Sequence, residues 1–402
     1  MNQREIAYQL LQEIMLDGKY SNLIMRQTLM KVDPLKRGYI SEVVYGVLRN
    51  YRYLRYQWMD LVKHKPKNKI AILIDMAIYL LLYTNDPDYA VVNDACILAK
   101  NQKGFVNAVL RRFLARKEKK LHLDSFEHLG IYYSLPSWVV AMWHKQYGSE
   151  TTQKILESKL KKATMFYRLN AGYTIQDIEH LDVKQIDDTC FTSKYNLVHT
   201  KEFIHHVFDI QDYGSQQIVK LLQVDKHQDV LDICSAPGSK TVQIASALGH
   251  TGSLIACDIH LHRLQLVEEK MRSYGFLNLQ YQVCDASTVK FDKVFDRILL
   301  DVPCSGLGTL SHKCEIAMRI QPETIDELVA LQAKILENIT KYVKVNGYFV
   351  YSTCTLNKKE NEKQIEHFLL KHGNFKLVQQ RTIFPFEFDS DGFYMALCQR
   401  IK

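Results

Sequence analysis

"LDICSAPGSKT", residues 231–241, reads as the end of a strand, a turn, and the opening of a helix, and what that turn can hold decides the fold around it. The apolar run "DVLDIC" (229–234) is broken by Pro237 and Gly238. "SKTVQIASAL" (239–248) then repeats apolar residues at three- and four-residue steps. The same unit recurs downstream. "GSLIACD" (252–258), "LQYQVCD" (279–285), "DRILLDVP" (296–303) and "GYFVYSTC" (347–354) read as strands, alternating with amphipathic helices at 261–275, 322–343 and 358–373. Repeated strand–helix units predict a parallel, doubly wound α/β sheet over residues 206–402. In such a sheet a ligand lies beyond the carboxyl ends of the strands, and each of these strands ends in Asp or Cys.

The turn excludes two ligand classes. A dinucleotide fingerprint needs GxGxxG, and a Walker A loop needs Lys directly after its second Gly; with Gly238 alone the loop fits neither. Asp258 ends the next strand 20 residues after Gly238, where a carboxylate would take ribose hydroxyls, and Asp285 and Asp301 follow on the third and fourth strands. Such a row repels pyrophosphate. It suits a ribose carrying a cationic sulfonium and an ammonium group, which describes S-adenosylmethionine.

The rest of the 402-residue chain has the texture of a multidomain globular protein, with 47% apolar and 24% charged residues. The start has no apolar signal core, and the longest apolar run, "IAILIDMAIYLLLY" (70–83), is too short to span a bilayer and contains Asp75. A cytoplasmic, monomeric protein with no membrane contact is expected. Nine scattered cysteines form no zinc-like cluster, so neither a metal nor disulfides are expected. The net charge of +8 lies wholly in residues 1–130, which hold 21 Lys and Arg against 13 Asp and Glu. A basic part beside a neutral one suggests a polyanion held by the first and processed by the second. Helical periodicity runs through residues 1–130, predicting an all-α domain there. "NYRYLRYQW" (50–58) within it interleaves arginines with aromatics, either to stack on RNA or to pack a core, and "RRFLARKEKK" (111–120) suits phosphates or a solvated helix end. Residues 131–205 read as a helical linker and a small α/β subdomain, with β-like pieces "MFYRLN" and "NLVHT" around an amphipathic "TIQDIEHL".

Three motifs in order, "LDICSAPGSKT", "LLDVPCSGLG" (299–308) and "YSTCTLNKKEN" (351–361), resemble the signatures of the RsmB-type 16S rRNA cytosine-5 methyltransferases. "SEVVYGVLRN", "YLLLYT" and "GFVNAVLRRF" are similar to the NusB-like domain of that family, and "FDIQDYGSQ" to the segment entering its catalytic domain. The resemblance implies a Rossmann-like S-adenosylmethionine-dependent methyltransferase domain preceded by an all-α NusB-like domain. It implies that Cys234, Ser235, Ala236, Pro237, Gly238, Ser239 and Lys240 cradle the cofactor, with Asp258 on the ribose, Asp285 near the adenine, and Arg263 and Asp301 also at the cofactor. Cys354 would be the nucleophile, Cys304 the cysteine that assists product release, and Asp301 a hydrogen-bonding partner of the base. The substrate implied is a single-stranded or flipped-out cytosine of 16S ribosomal RNA.

The chemistry accounts for these residue types. C5 of cytosine is too electron-poor to attack a methyl group until a thiolate adds at C6. An apparent capping box at Asn357 and Glu360, with Lys358 and Lys359 beside it, suggests that Cys354 sits at a helix N-terminus that would favour its thiolate. The sequence departs from the family at three places: Ser239 replaces a second glycine; "SHKCEIAMR" (311–319) stands for a loop with a basic pair and a proline beside an acidic residue, Lys313 and Glu315 keeping part of that character while Cys314 replaces the proline; and a His-Gly pair before "DGF" (391–393) is missing. The first matters for cofactor affinity if residue 239 needs a positive φ, and the second for a loop expected to face substrate. Other readings are an RNA-binding assembly factor without activity, or a methyltransferase of another RNA such as tRNA. A DNA cytosine methyltransferase would use Cys304 and need no Cys354. A redox dithiol lacks a CxxC.

Overall fold

The structure is a computed structural model and describes residues 2–277 and 279–402. The chain forms two compact units, one of Met1–Lys162 with Leu310–Arg319, the other of Ala163–Thr309 with Ile320–Lys402.

The first unit is helical: α1 (Gln3–Met15), α2 (Ser21–Leu29), α3 (Pro34–Tyr56), α4 (Asn68–Tyr83), α5 (Asp88–Leu98), α6 (Lys103–Arg116), α7 (Phe126–Tyr132) and α8 (Ser137–Leu160). Asp33 caps α3 by accepting from Leu35 N–H, and Pro34 fits its first turn. The apolar run at 70–80 is buried along its whole length in the middle of this unit, which explains why it is apolar on all sides. Burial pushes the Asp75 carboxyl up; Arg55 answers with Nη2 at 2.5 Å and Trp58 with Nε1 at 2.7 Å. Part of the aromatic-arginine run at 50–58 is therefore spent inside the fold: Trp58 and Tyr53 are buried and Arg55 is paired, so core packing accounts for these three, while Tyr51, Arg52 and Tyr56 are half-buried. α7 and α8 join the same unit, beyond the expected boundary at 130, because buried Lys159 donates to the carbonyls of Arg49 and Tyr133 while Ser134 Oγ accepts from Arg52 N–H. No helix among the described residues is long and apolar enough to cross a membrane.

The second unit holds two sheets. A small antiparallel one orders β1 (Phe166–Leu169), β2 (Val183–Gln185), β3 (Cys190–Ser193) and β4 (Phe208–Ile210) as β2-β3-β1-β4. β1 lies in the expected "MFYRLN", but "NLVHT" forms no strand and "TIQDIEHL" is a 3-10 turn. The large sheet contains β5 (Asp229–Asp232), β6 (Ser253–Asp258), β7 (Leu279–Val283), β8 (Phe295–Asp301), β9 (Val343–Thr353), β10 (Phe375–Ile383) and β11 (Phe393–Arg400) in the order β10-β11-β9-β8-β5-β6-β7. Five of these run parallel as expected; β11 is inserted antiparallel between β9 and β10, so the sheet is mixed. Its helices are α9 (Tyr213–Leu222), α10 (Ser239–Leu248), α11 (Leu261–Ser273), α12 (Pro322–Ile339) and α13 (Glu362–Lys371). Strand order reverses between β5 and β8. That is the switch point at which a Rossmann-like sheet opens a ligand crevice.

Candidate active site

The loop after β5 is held from three sides. Ser235 donates through N and Oγ to the Cys257 carbonyl at 2.8 and 2.9 Å, and Gly238 N–H returns to Ser235 O at 2.8 Å. Gly238 has φ +101°, and a Cβ there would lie 3.3 Å from Val267 Cα, so glycine fits both the turn and the close approach of α11. Ser239 opens α10 without a positive φ, which removes the objection to a serine, and its Oγ accepts from Lys270 Nζ at 3.2 Å. Arg263 props the loop, donating to Ala236 O at 3.3 Å, with its other nitrogen 3.5 Å from Asp258.

Carboxylates converge behind this loop. Burial first, then the charges of Asp301, Asp232 and Asp258, push the Cys234 thiol well above its ordinary range, so it stays neutral. Asp258 is buried and accepts from His260 N–H at 3.0 Å. Asp232, on the strand end that sequence reasoning passed over, is buried with Oδ2 on Thr241 Oγ1 at 2.7 Å and Oδ1 without a partner. Burial raises its pKa to about 7, and the neighbouring Asp301 adds to this. Asp285 lies two residues past β7, exposed, its carboxylate taken by Ser287 N–H and Oγ, which lower its pKa. An orphaned buried carboxylate oxygen, a glycine cradle and a set of acids fit a ligand carrying cationic groups and hydroxyls, and fit a phosphate poorly.

Across the switch point Asp301 ends β8 and Cys304 follows; β9 ends at Thr353 and Cys354 follows it. The register pairs Asp301 with Ser352, so the two cysteines leave neighbouring strands side by side, and their sulfurs stand 3.3 Å apart. Asp301 Oδ1 accepts from Ser352 Oγ at 2.9 Å and Oδ2 from Lys240 Nζ at 2.6 Å. Burial works against the Lys240 ammonium, but Asp301 and then Cys354 more than offset it and raise its pKa. Lys240 is thus set near Cys354, whereas Lys359 turns to Asp326 at 3.2 Å. The contact with Cys354 and then burial hold the Cys304 thiol far above its usual range, so Cys304 keeps its proton.

The expected helix start at Asn357 and Glu360 is not one. α13 begins only at Glu362, and Glu360 is fully buried beneath both cysteine loops. It accepts from Ser305 N–H (2.8 Å), Ser305 Oγ (2.6 Å), Asn357 Nδ2 (3.0 Å) and Gln332 Nε2 (3.1 Å), and its own carbonyl takes the Tyr351 hydroxyl at 2.7 Å. One carboxylate therefore ties the residue after Cys304 to the turn after Cys354. Gly308 closes the arrangement, donating to Cys354 O at 3.0 Å and accepting from Gly392 N–H, of the "DGF" stretch, at 2.7 Å.

Residues 219–399, which contain this whole site, match the family model for 16S rRNA methyltransferase RsmB/F, and residues 1–115 match that of the NusB family. The chain joins a NusB domain to an RsmB/F methyltransferase domain. Both cysteines, Asp301 and the 234–240 loop fall within the RsmB/F match. The probable ribosomal RNA small subunit methyltransferase B of Bacillus subtilis (strain 168) is 29% identical, over 98% of this chain and 97% of that protein. Among solved structures, PH0851 aligns over 100% of this chain and 99% of its own with a TM-score of 0.82 and 21% identity. A methyltransferase homolog from Pyrococcus horikoshii aligns over 69% of this chain and 98% of its own, with a TM-score of 0.60 and 23% identity. These two likenesses bear on the fold alone; with the two family matches it is a Rossmann-like methyltransferase domain preceded in the chain by the all-helical NusB domain.

Proposed function

We propose that this RsmB/F protein methylates C5 of a cytosine in 16S ribosomal RNA, with Cys354 as the nucleophile that adds to C6. The observation carrying the proposal is the pair of sulfurs 3.3 Å apart at adjacent strand ends, with the Lys240–Asp301 ion pair beside them. The cofactor is S-adenosylmethionine, which when bound supplies an electrophilic methyl group. Gly238 and the loop 234–240 would cradle it, and Asp258 and Asp232 offer carboxylate oxygens for its hydroxyls and ammonium.

The surroundings of the two cysteines support these roles. Cys304 is kept protonated by its neighbour and by burial, and can donate to the other sulfur. Cys354 has the Lys240 ammonium near it, and a cation there favours a thiolate. Addition of that thiolate to C6 makes C5 nucleophilic. After methyl transfer, loss of the C5 proton to a base reforms the C5–C6 double bond and expels the Cys354 sulfur, which Cys304 meets with its S–H. Asp301 would hold the base edge. The face and edge of a stacked, paired cytosine are closed to this chemistry, so the target is a loop or an extruded base at about a few kcal/mol of unstacking.

The test uses the full chain, labelled S-adenosylmethionine and unmodified 16S rRNA. Cys354→Ala abolishes transfer, whereas Cys304→Ala lets RNA accumulate covalently bound to the enzyme. The reverse outcome overturns the role assignment, and failure to bind S-adenosylmethionine would favour an inactive assembly factor.

A further inference from the structure

Of the two most basic runs of the helical unit, distant in sequence, one is fastened to residues 57–61, the segment that leads directly into the other. The fastened run is the second half of α6 with the chain that leaves it, 111–120; the other is "KHKPKNK" (63–69), the loop that enters α4. Arg112 Nη1 donates to Leu61 O at 3.0 Å, and Arg116 Nη1 reaches both oxygens of Asp60 at 2.8 and 2.9 Å. Lys119 N–H donates to Gln57 Oε1 at 2.7 Å, and Gln57 Nε2 donates back to Lys119 O at 3.0 Å. Lys119 Nζ reaches Asp60 at 3.1 Å and lies 4.2 Å from the Tyr56 ring centre. The seam is well bonded because Gln57 is fully buried beneath it.

Charge on the resulting face is one-sided. Asp60 is already matched by Arg116 and Lys119, and Glu118 accepts from the Tyr53 hydroxyl at 2.6 Å. Lys63, Lys65, Lys67, Lys69, Arg111 and Lys120 are exposed and make no ion pair among the described residues. Lys67 and Lys69 stand at the N-terminus of α4, which has no acidic residue in its first turn and no side-chain cap. A helix N-terminus carries partial positive charge, so lysines there are unfavourable in the isolated protein. An anion on this face would relieve both the dipole and the crowding.

We propose that the face formed by residues 63–69 and 111–120 holds the sugar-phosphate backbone of the RNA substrate, without reading its sequence. The proposal rests on the rRNA methyltransferase reading and adds the surface by which the helical unit contributes. Phosphate contacts of this kind release counterions, so each lost contact lowers the slope of log affinity against log salt by about 0.7–0.9.

The experiment measures binding of the full-length protein to unmodified 16S rRNA across a salt series, with methyl transfer measured in parallel. The variants are Lys65→Glu with Lys67→Glu, Arg111→Glu with Lys120→Glu, and a charge-matched control on the methyltransferase unit, Lys371→Glu with Lys376→Glu. Circular dichroism and S-adenosylmethionine binding check the fold. Each face variant is expected to bind RNA at least about tenfold more weakly with a shallower salt slope, while the control stays within twofold of wild type. Face variants that bind like wild type, or a control that loses as much as they do, overturn the proposed surface while leaving the enzyme's function standing. A wild-type protein that neither binds nor methylates the RNA sinks the functional reading itself.

Discussion

Glu360 is the residue on which the geometry of both cysteines is expected to turn. Its two oxygens accept four hydrogen bonds in a site closed to water, from Ser305 twice, Asn357 and Gln332. Bonds to a charged acceptor are worth about 1.5–3 kcal/mol each. In Glu360→Gln one oxygen becomes an NH2 group. The least costly seat points that group at Ser305 Oγ, which can accept from it and turn its own proton to Thr355 Oγ1, 2.7 Å away. Asn357 Nδ2 then faces a donor, and it cannot simply flip because Lys359 N–H already uses its Oδ1. The cost is one unsatisfied buried donor, about 1–3 kcal/mol. The kinetic effect should be of similar size, since a misplacement of about 1 Å in reacting groups can cost about 10²-fold, or about 2.7 kcal/mol. Single-turnover methyl transfer at saturating rRNA and cofactor should fall between about tenfold and a hundredfold. Affinity for S-adenosylmethionine should stay within about twofold, because the 234–240 loop shares none of these bonds. A variant with wild-type melting temperature and rate would refute the clamp, and one that loses cofactor binding in step with rate would show general damage instead.

Asp232 should make stability depend on pH. With a folded pKa of about 7 against an ordinary value near 3.8, the folded state holds a proton that the unfolded chain gives up. The stabilisation from this group is fully present below about pH 4 and is lost as pH rises to about 7, on the order of 4 kcal/mol at most; Asp232→Asn should flatten that part of the denaturation-against-pH curve. Gly308→Ala would place a Cβ 2.0 Å from the backbone carbonyl oxygen of Gly392, so the Cys304 loop must shift. Transfer should fall at least tenfold with cofactor binding retained, as read by paired activity and binding assays. Glu315→Ala removes the acceptor of Ser21 N–H and Oγ, at 3.1 and 2.8 Å, from a helix whose own cap residue makes no such bond. About 1–2 kcal/mol of local stability should go, visible as faster amide exchange in α2.

What the sequence carried well was whatever depends on local spacing. β5, β6, β8 and β9 are short apolar runs bounded by turns, and the residues that end them stand where the strand–helix alternation put them. The last two strands escaped because β10, "FKLVQQRTI", is an edge strand with mostly polar, exposed positions, and β11, although buried, follows a short helix and an Asp-rich turn that look like a tail. Long-range partners were out of reach for a different reason. Glu360 and Asn357 have capping-box spacing, and only the fold shows that Glu360 serves residues 55 and 28 positions away. Lys240 likewise reads as part of a cofactor loop, and its pairing with Asp301 spans 61 residues.

The departure at 311–319 shows how a loop judged by its motif neighbours can answer to another part of the molecule. The stretch leaves Cys304 within a few residues and was expected to face substrate, yet it packs as part of the helical unit. Cys314, in the place of a proline, is fully buried in that unit's core. Glu315 caps α2, and Arg319 donates to the carbonyls of Ile14 and Lys19 at 2.7 and 2.8 Å, supplying the cation that the last turn of α1 lacks. Cys314 thus fills the core, and Glu315 and Arg319 complete helix ends, of a unit encoded some 300 positions earlier. Loss of the Arg319 guanidinium in Arg319→Ala should therefore loosen the end of α1, read as faster amide exchange there, while methyl transfer changes little.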